Sequence, residues 1–361
     1  MYELKYFPSN YMEGRKSFLT VANSMGLEVN TYAHPMKGLF GEDLASDVIL
    51  IGNPEAKKIL VTSSATHGAE GMLGSGVQIT SLIRGRYKNL TDDTAVLIIH
   101  AINPWGFSWV RRANEDGVDV FRNFIDFSKE KPENELFDQL ADKLVPKRMD
   151  FLSSISTNIS MAMITARHGM AKLKAQIPTG QYKHEHAPFF GGFRETWSNT
   201  TLREILRNYC GKASHVIAID YHTGLGEFAA GELLGFDKPG EPSYEDAKSC
   251  WGDDYISVYS RGTTAYEIYG ILFKAYLEEL PNARMHFSSH EFGTIDESKV
   301  FKYMREDHWL HTYGQLDSKV ASRVRANMKR AFYCDDESWK NTVLQQAFLA
   351  EDQALDFLRA Q

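Results

Sequence analysis

A histidine and a glutamate three residues apart can close on one cation if the backbone between them turns tightly. The stretch Thr66-His67-Gly68-Ala69-Glu70-Gly71 has that spacing, directly after the apolar run Ile59-Leu-Val-Thr-Ser63. Gly68 removes a side chain from the turn, and an imidazole with a carboxylate suits a divalent metal. Taken alone, the same spacing describes a polar loop with a surface histidine. Its meaning depends on whether a third ligand, a base and a substrate clamp occur elsewhere.

The elements that must position such groups read as an α/β fold: a mixed, mostly parallel central sheet flanked by helices. Apolar runs at Asp47–Gly52, Lys58–Ser63, Thr94–His100, His215–Asp220 and Arg284–Ser288 are strand candidates. Helical spacing marks residues 11 to 26, closing at Gly26, and residues 71 to 83. A capping box at Thr201 and Glu204 opens a helix to about Tyr209, Thr263 to Leu280 reads as another, and Leu344 to Leu358 carries an apolar stripe. Strand, loop, helix, strand from residue 58 to 100 is a crossover unit. One domain spanning 1–361 is the economical organisation, with a long insertion at about 131–200 where charged residues and Met161-Ala-Met-Ile164 interrupt the pattern.

In open α/β sheets ligands bind where loops leave the carboxyl ends of the strands. His67 and Glu70 follow one predicted strand, His222 another and Glu291 a third. Two histidines and one glutamate make a catalytic zinc set with a fourth position for water.

The order His67-Gly-Ala-Glu70, Asn103-Pro-Trp-Gly106, Arg112-Ala-Asn114-Glu-Asp-Gly-Val-Asp119-Val-Phe-Arg122-Asn-Phe124, Asp220-Tyr-His222 and Glu291-Phe-Gly293 resembles the zinc carboxypeptidase clan. Gln181-Tyr182 through Gly191-Gly192 and His222-Thr-Gly-Leu-Gly226 are similar to a bacterial subgroup of that clan whose function is mostly unassigned. The His67 loop also resembles the succinylglutamate desuccinylase and aspartoacylase branch. The resemblance implies that His67, Glu70 and His222 hold one zinc ion. It implies that Arg112 polarises the scissile carbonyl, that Arg122 grips a substrate carboxylate, and that Glu291 is general base and then acid. Read from the residues themselves, Arg111 is a swap for Arg112 in binding substrate. The chemistry agrees: zinc lowers the pKa of water to about 7, a carboxylate takes the proton, and a guanidinium stabilises an oxyanion. The clan usually carries Asn-Arg where this chain has Phe121-Arg122, which puts exopeptidase specificity in doubt.

Each residue has a plainer alternative. His290 competes with Glu291 for the base. Arg112 and Arg122 compete with ion pairing to Glu115, Asp116 or Asp119. Asp220 either orients an imidazole or merely occupies a turn. His184 and His186 are expected in a polar loop rather than a second metal site, and His308 and His311 as surface or capping groups. The aromatic-rich Tyr255 to Tyr269 region defaults to core packing, and no assisting tyrosine can be named.

A net charge of −7 and a pI near 6.0 argue against a nucleic-acid partner. No secretory pattern and no long apolar run is visible, so a soluble, cytoplasmic protein is expected, without a membrane partner. Cys210, Cys250 and Cys334 suit neither a disulfide framework nor Cys-x-x-Cys metal binding, and Cys250 lacks the partners of a nucleophile. The expected function is zinc-dependent hydrolysis of an amide bond in a small peptide or N-acyl amino acid. A deacylase or desuccinylase is the alternative within enzymes. An inactive metal-containing binding module is the alternative outside them, and intact Glu291 argues against it.

Overall fold

In the computed structural model, which describes residues 4–148, 151–260 and 268–361, eight strands form one sheet. They are β1 (Asn30–Lys37), β2 (Asp43–Gly52), β3 (Lys58–Ser63), β4 (Thr94–His100), β5 (His215–Phe228), β6 (Gly231–Gly235), β7 (Tyr255–Ser257) and β8 (Arg284–Gly293). Their order is β1-β2-β4-β3-β5-β8-β6-β7. The centre, β4-β3-β5-β8, is parallel; β1 with β2, β2 with β4, and β6 with β8 are antiparallel. This is the mixed, mostly parallel α/β sheet expected from the sequence.

The central strands are apolar because helices cover both faces. Every residue of β4 is buried, and only Lys58 of β3 is not. Alternate side chains enter different layers. Leu60, Val96 and Ile217 pack with helices Tyr11–Ser24, Gly71–Ile83 and Glu337–Ala360, whereas Val61, Leu97, Ala218 and Phe287 pack with Trp197–Cys210 and Phe273–Glu279.

Several boundaries differ from the sequence reading. Helix Trp197–Cys210 opens at Thr196, whose side chain accepts the Asn199 amide at 3.3 Å; Thr201 lies buried inside it. The helix expected from Thr263 spans only Phe273–Glu279, and residues 261–267, with part of the Tyr255 to Tyr269 region, lie outside the described residues. β5 and β8 continue well past their expected ends, to Phe228 and Gly293, which places His222 and Glu291 inside strands rather than in the loops after them.

Within 131–200, much of the described chain up to Thr179 is helical. Helices Glu135–Asp138, Ala141–Leu144, Phe151–His168 and Met170–Gln176 gather around Leu136, Phe137, Leu140, Leu144, Ile164 and Leu173. The chain then loops round between Gln181 and Phe190, which form an isolated parallel bridge. Among the described residues, no helix is long and apolar enough to cross a membrane.

A buried histidine gives the fold a pH dependence separate from any site. His286 is fully buried in β8 among His215, Trp251 and Phe357, and neither ring nitrogen has a hydrogen-bond partner. Burial first, then the neighbouring His215, pushes its pKa down from 6.5 to about 3. Its stabilising contribution is therefore complete above about pH 6.5 and is lost as pH falls towards 3, because only the unfolded chain accepts the proton readily. Replacing His286 with Phe keeps an aromatic ring and removes the titration. Between pH 7 and pH 5, urea denaturation of H286F should lose about 2 kcal/mol less stability than wild type; equal losses would place the titration elsewhere.

Candidate metal centre

β3 ends at Ser63 and the chain reverses through Ala65, whose φ of 58° is a left-handed conformation that costs alanine energy. The loop is clamped to the turn after β4. Ile102 and Asn103 amides donate to the Ser64 and Ala65 carbonyls at 2.9 and 3.1 Å, and Ala69 N donates to Arg111 O at 2.9 Å. Asn103 Oδ1 accepts the Gly106 amide at 2.8 Å and caps the short helix Pro104–Trp109. Gly68 lies directly on that helix, where a Cβ would stand 2.0 Å from the Gly106 carbonyl carbon. Its φ is not left-handed, so Gly68 supplies close backbone approach rather than an unusual turn conformation.

This packing presents His67 and Glu70 to β5. His67 Nδ1 lies 3.0 Å from Glu70 Oε1 and 3.2 Å from His222 Nδ1, and His222 Nδ1 lies 3.0 Å from Glu70 Oε2. All three side chains are buried. Each ring is held from behind: His67 Nε2 meets Asp119 Oδ1 at 3.0 Å and His222 Nε2 meets Asp220 Oδ2 at 2.6 Å. With Nε2–H donated to a carboxylate, each imidazole turns its Nδ1 lone pair towards the other and towards Glu70. Such a set repels itself unless a cation lies between its members. Ligands of a tetrahedral zinc ion, bound at about 2.0–2.1 Å, stand about 3.3 Å apart, close to the separations seen here. The donors fit one divalent ion.

Asp119 was legible only as an ion-pair partner for the arginines, and it does more. One oxygen takes His67 Nε2 and the Phe121 amide, the latter at 3.2 Å, while the other pairs with Arg112 Nη1. Burial opposes its charge, yet Arg112 and His67 hold it well below the usual carboxylate range. The available signal was an acid set between Val118 and Val120 in an apolar turn. Asp220, fully buried, accepts from Ser63 Oγ at 2.7 Å as well as orienting His222.

Strand register separates Glu291 from His290. Glu291 pairs with His222 across β5 and β8 and shares its face, whereas His290 pairs with Tyr221 on the opposite face, where burial pushes its pKa down to about 3. Glu291 Oε1 accepts the Leu225 amide at 3.1 Å. Burial, followed by the charge of Glu70, raises the Glu291 pKa to about 8.

The arginines divide. Arg112 reaches the centre through Asp119, and its charge acts on Glu291. Arg111 forms a buried pair with Asp307 at 3.0 Å and donates to Asn114 O, so its charge is engaged in helix packing. Arg122 is buried and donates through Nε and Nη2 to the Pro178 carbonyl at 3.2 and 2.9 Å; Nη1 has no partner. Phe121 places its ring against both His67 and His222, at centroid distances of 5.9 and 5.4 Å, with the Arg122 guanidinium 5.1 Å from it.

Other candidates fall elsewhere. His184 and His186 pair with Asp138 and Asp142 of the insertion. His308 is buried and His311 nearly so, not at the surface as expected, because their helix face packs on Arg111, Trp105 and Trp109. The three cysteines are free thiols, and burial pushes those of Cys210 and Cys334 up to about 12 and 11.

This architecture is a zinc carboxypeptidase-like fold. The structure of bovine thrombin-activatable fibrinolysis inhibitor, in complex with tick carboxypeptidase inhibitor, is similar over 99% of both chains, with TM-score 0.53 and 10% identity. Carboxypeptidase A from Helicoverpa armigera matches 89% of this chain and 73% of its own at TM-score 0.48 and 15% identity. Murein-tripeptide amidase from Escherichia coli O157 matches 85% and 93% at TM-score 0.36 and 16% identity. The chain itself belongs to the family described as protein of unknown function DUF2817, which matches residues 7–346. No curated protein matches it by sequence.

The two carboxylates behind the imidazoles should tune metal affinity. Asp220→Asn is expected to weaken zinc binding about 10- to 100-fold in competition with a chelator, leaving the stoichiometry at saturation unchanged. Unaltered affinity would show that Asp220 does not act through His222.

Proposed function

We propose that the protein is a zinc-dependent hydrolase of amide bonds acting on a small peptide or an N-acyl amino acid. The observation that carries this reading is the pair of Nδ1 atoms 3.2 Å apart and facing Glu70, each ring braced by a buried carboxylate. His67, Glu70 and His222 would hold one ion, which when bound polarises a carbonyl and acidifies water. Glu291 takes the proton of the attacking water on its carboxylate and returns it to the leaving amine. The Leu225 amide fixes the direction of that carboxylate. Arg112 stabilises negative charge growing on the carbonyl oxygen, while Asp119 keeps its guanidinium near the centre.

A second reading is an N-acyl amino acid deacylase, whose substrates, like peptides with a free C-terminus, present a carboxylate that Arg122 would have to meet. Two of its donors are already engaged by Pro178, and Phe121 lies between it and the imidazoles. That arrangement makes a poor two-point grip on a terminal carboxylate. The insertion, on this reading, is part of one hydrolase domain and forms a wall of its cleft. Three cysteines, none in a disulfide, suit a reducing cytoplasmic setting.

Glu291→Gln should bind zinc as wild type does and lose about 10²- to 10⁴-fold in kcat; retained turnover would transfer the base role to another group. Assays of N-acyl amino acids beside peptides with free C-termini separate the two readings, and a higher kcat/KM for the acylated compounds is the outcome the deacylase reading requires. A clear preference for the peptides would remove the deacylase reading and leave the hydrolase reading in place.

A further inference from the structure

The insertion returns to the centre at Phe189. This residue has φ of 60°, a left-handed conformation that is an outlier for a bulky side chain. The neighbouring hydrogen bonds enforce it: Gln181 N donates to Phe189 O at 3.0 Å, Gly191 N donates to Gln181 O at 2.8 Å, and Asp119 N donates to Phe190 O at 2.8 Å. The segment is thus tied to the same Asp119 that holds His67 and Arg112. The strained backbone turns the Phe189 ring inward, where its centroid lies 5.4 Å from the Arg112 guanidinium carbon. On the other side the ring stacks on Phe301 of helix Glu297–Tyr313, with centroids 6.5 Å apart and planes 14° apart. Arg112 is therefore fixed twice, along one edge by Asp119 and by an aromatic ring from the insertion.

We propose that Phe189 is a positioning residue for Arg112, holding the guanidinium so that one edge stays on Asp119 while the rest is presented to the substrate carbonyl. The proposal rests on the reading of Arg112 as the group that stabilises the carbonyl oxygen. A guanidinium tethered at one edge by a single carboxylate can still pivot. A ring face within about 6 Å attracts the cation and limits that motion. The backbone strain at Phe189 is the cost of delivering the ring to that place.

Five variants of the full chain, loaded with zinc, test this. Phe189→Leu should lower kcat about tenfold with little change in KM or zinc content, and Phe189→Tyr should restore it. Phe189→Gly relieves the left-handed strain, so it should keep or raise Tm while losing kcat as the leucine variant does; a merely structural residue would move the two together. In an Arg112→Gln background, Phe189→Leu should cause no further loss. Independently of turnover, phenylglyoxal should modify Arg112 faster in Phe189→Leu than in wild type, read by peptide mass spectrometry. Wild-type kcat and wild-type modification rates in Phe189→Leu would overturn the proposal. If wild type cleaves no amide, the functional reading fails, and the modification rate alone decides whether Phe189 restrains Arg112.

Discussion

Two imidazole nitrogens held in contact, with one carboxylate facing both, are the constraint on which this centre depends. Left to themselves the rings would rotate apart. They do not, because each outer nitrogen is bound to a buried carboxylate that is itself anchored: Asp220 by Ser63 Oγ, and Asp119 by Arg112 and the Phe121 amide. Glu70, Asp119 and Asp220 are all buried here, and of these Asp119 has the guanidinium charges of Arg112 and Arg122 acting on it. Burying so many anions is costly without a compensating cation. The cluster is built for positive charge at its centre.

Two different devices deliver the groups. On the sheet side the device is register. His222 and Glu291 are cross-strand neighbours, so a separation of about 4.8 Å between strands sets the distance from ligand to base. A shift of one residue along β8 would exchange Glu291 for His290 and turn the carboxylate into the opposite layer. On the loop side the device is backbone contact between Gly68 and Gly106, with Asn103 capping the helix that Gly68 touches. A side chain at residue 68 would displace His67 and Glu70 together.

The parts legible in the sequence were those with a strong local cause. β2, β3, β4, β5 and β8 announce themselves as apolar runs because strands buried on both faces must be apolar. β1 does not: it is an edge strand with Pro35 and mostly exposed residues, while β6 has five residues and β7 three. The candidate ligand set was legible because His67 and Glu70 follow β3 directly and the residues occur in a familiar order, although His222 and Glu291 lie inside β5 and β8 rather than after them. Asp119 was not, since its role comes from touching His67 and Arg112 simultaneously, a relation that no spacing encodes. His308 and His311 were misplaced for a similar reason: helical periodicity gives the face they share, and only tertiary packing on Arg111 and the tryptophans shows that this face is inward.

The same distinction explains why likeness of fold at 10% identity transfers so little about substrate. The candidate metal ligands and base come from the sheet and from the loop packed on it. Contacts to the arginines come from residues 131–200: the Pro178 carbonyl on the Arg122 guanidinium, the Tyr182 hydroxyl on the Arg122 carbonyl, and Phe189 on Arg112. An arginine presented to solvent is available to any carboxylate. One that donates twice to a backbone carbonyl has already been given its partner, and an incoming anion would have to displace it. The inserted chain thus redefines two arginines whose positions along the sequence are unremarkable, one by occupying its donors and the other by limiting how it moves. On the proposed reading, chemistry resides with the sheet, and selectivity with residues 131–200 that pack beside it.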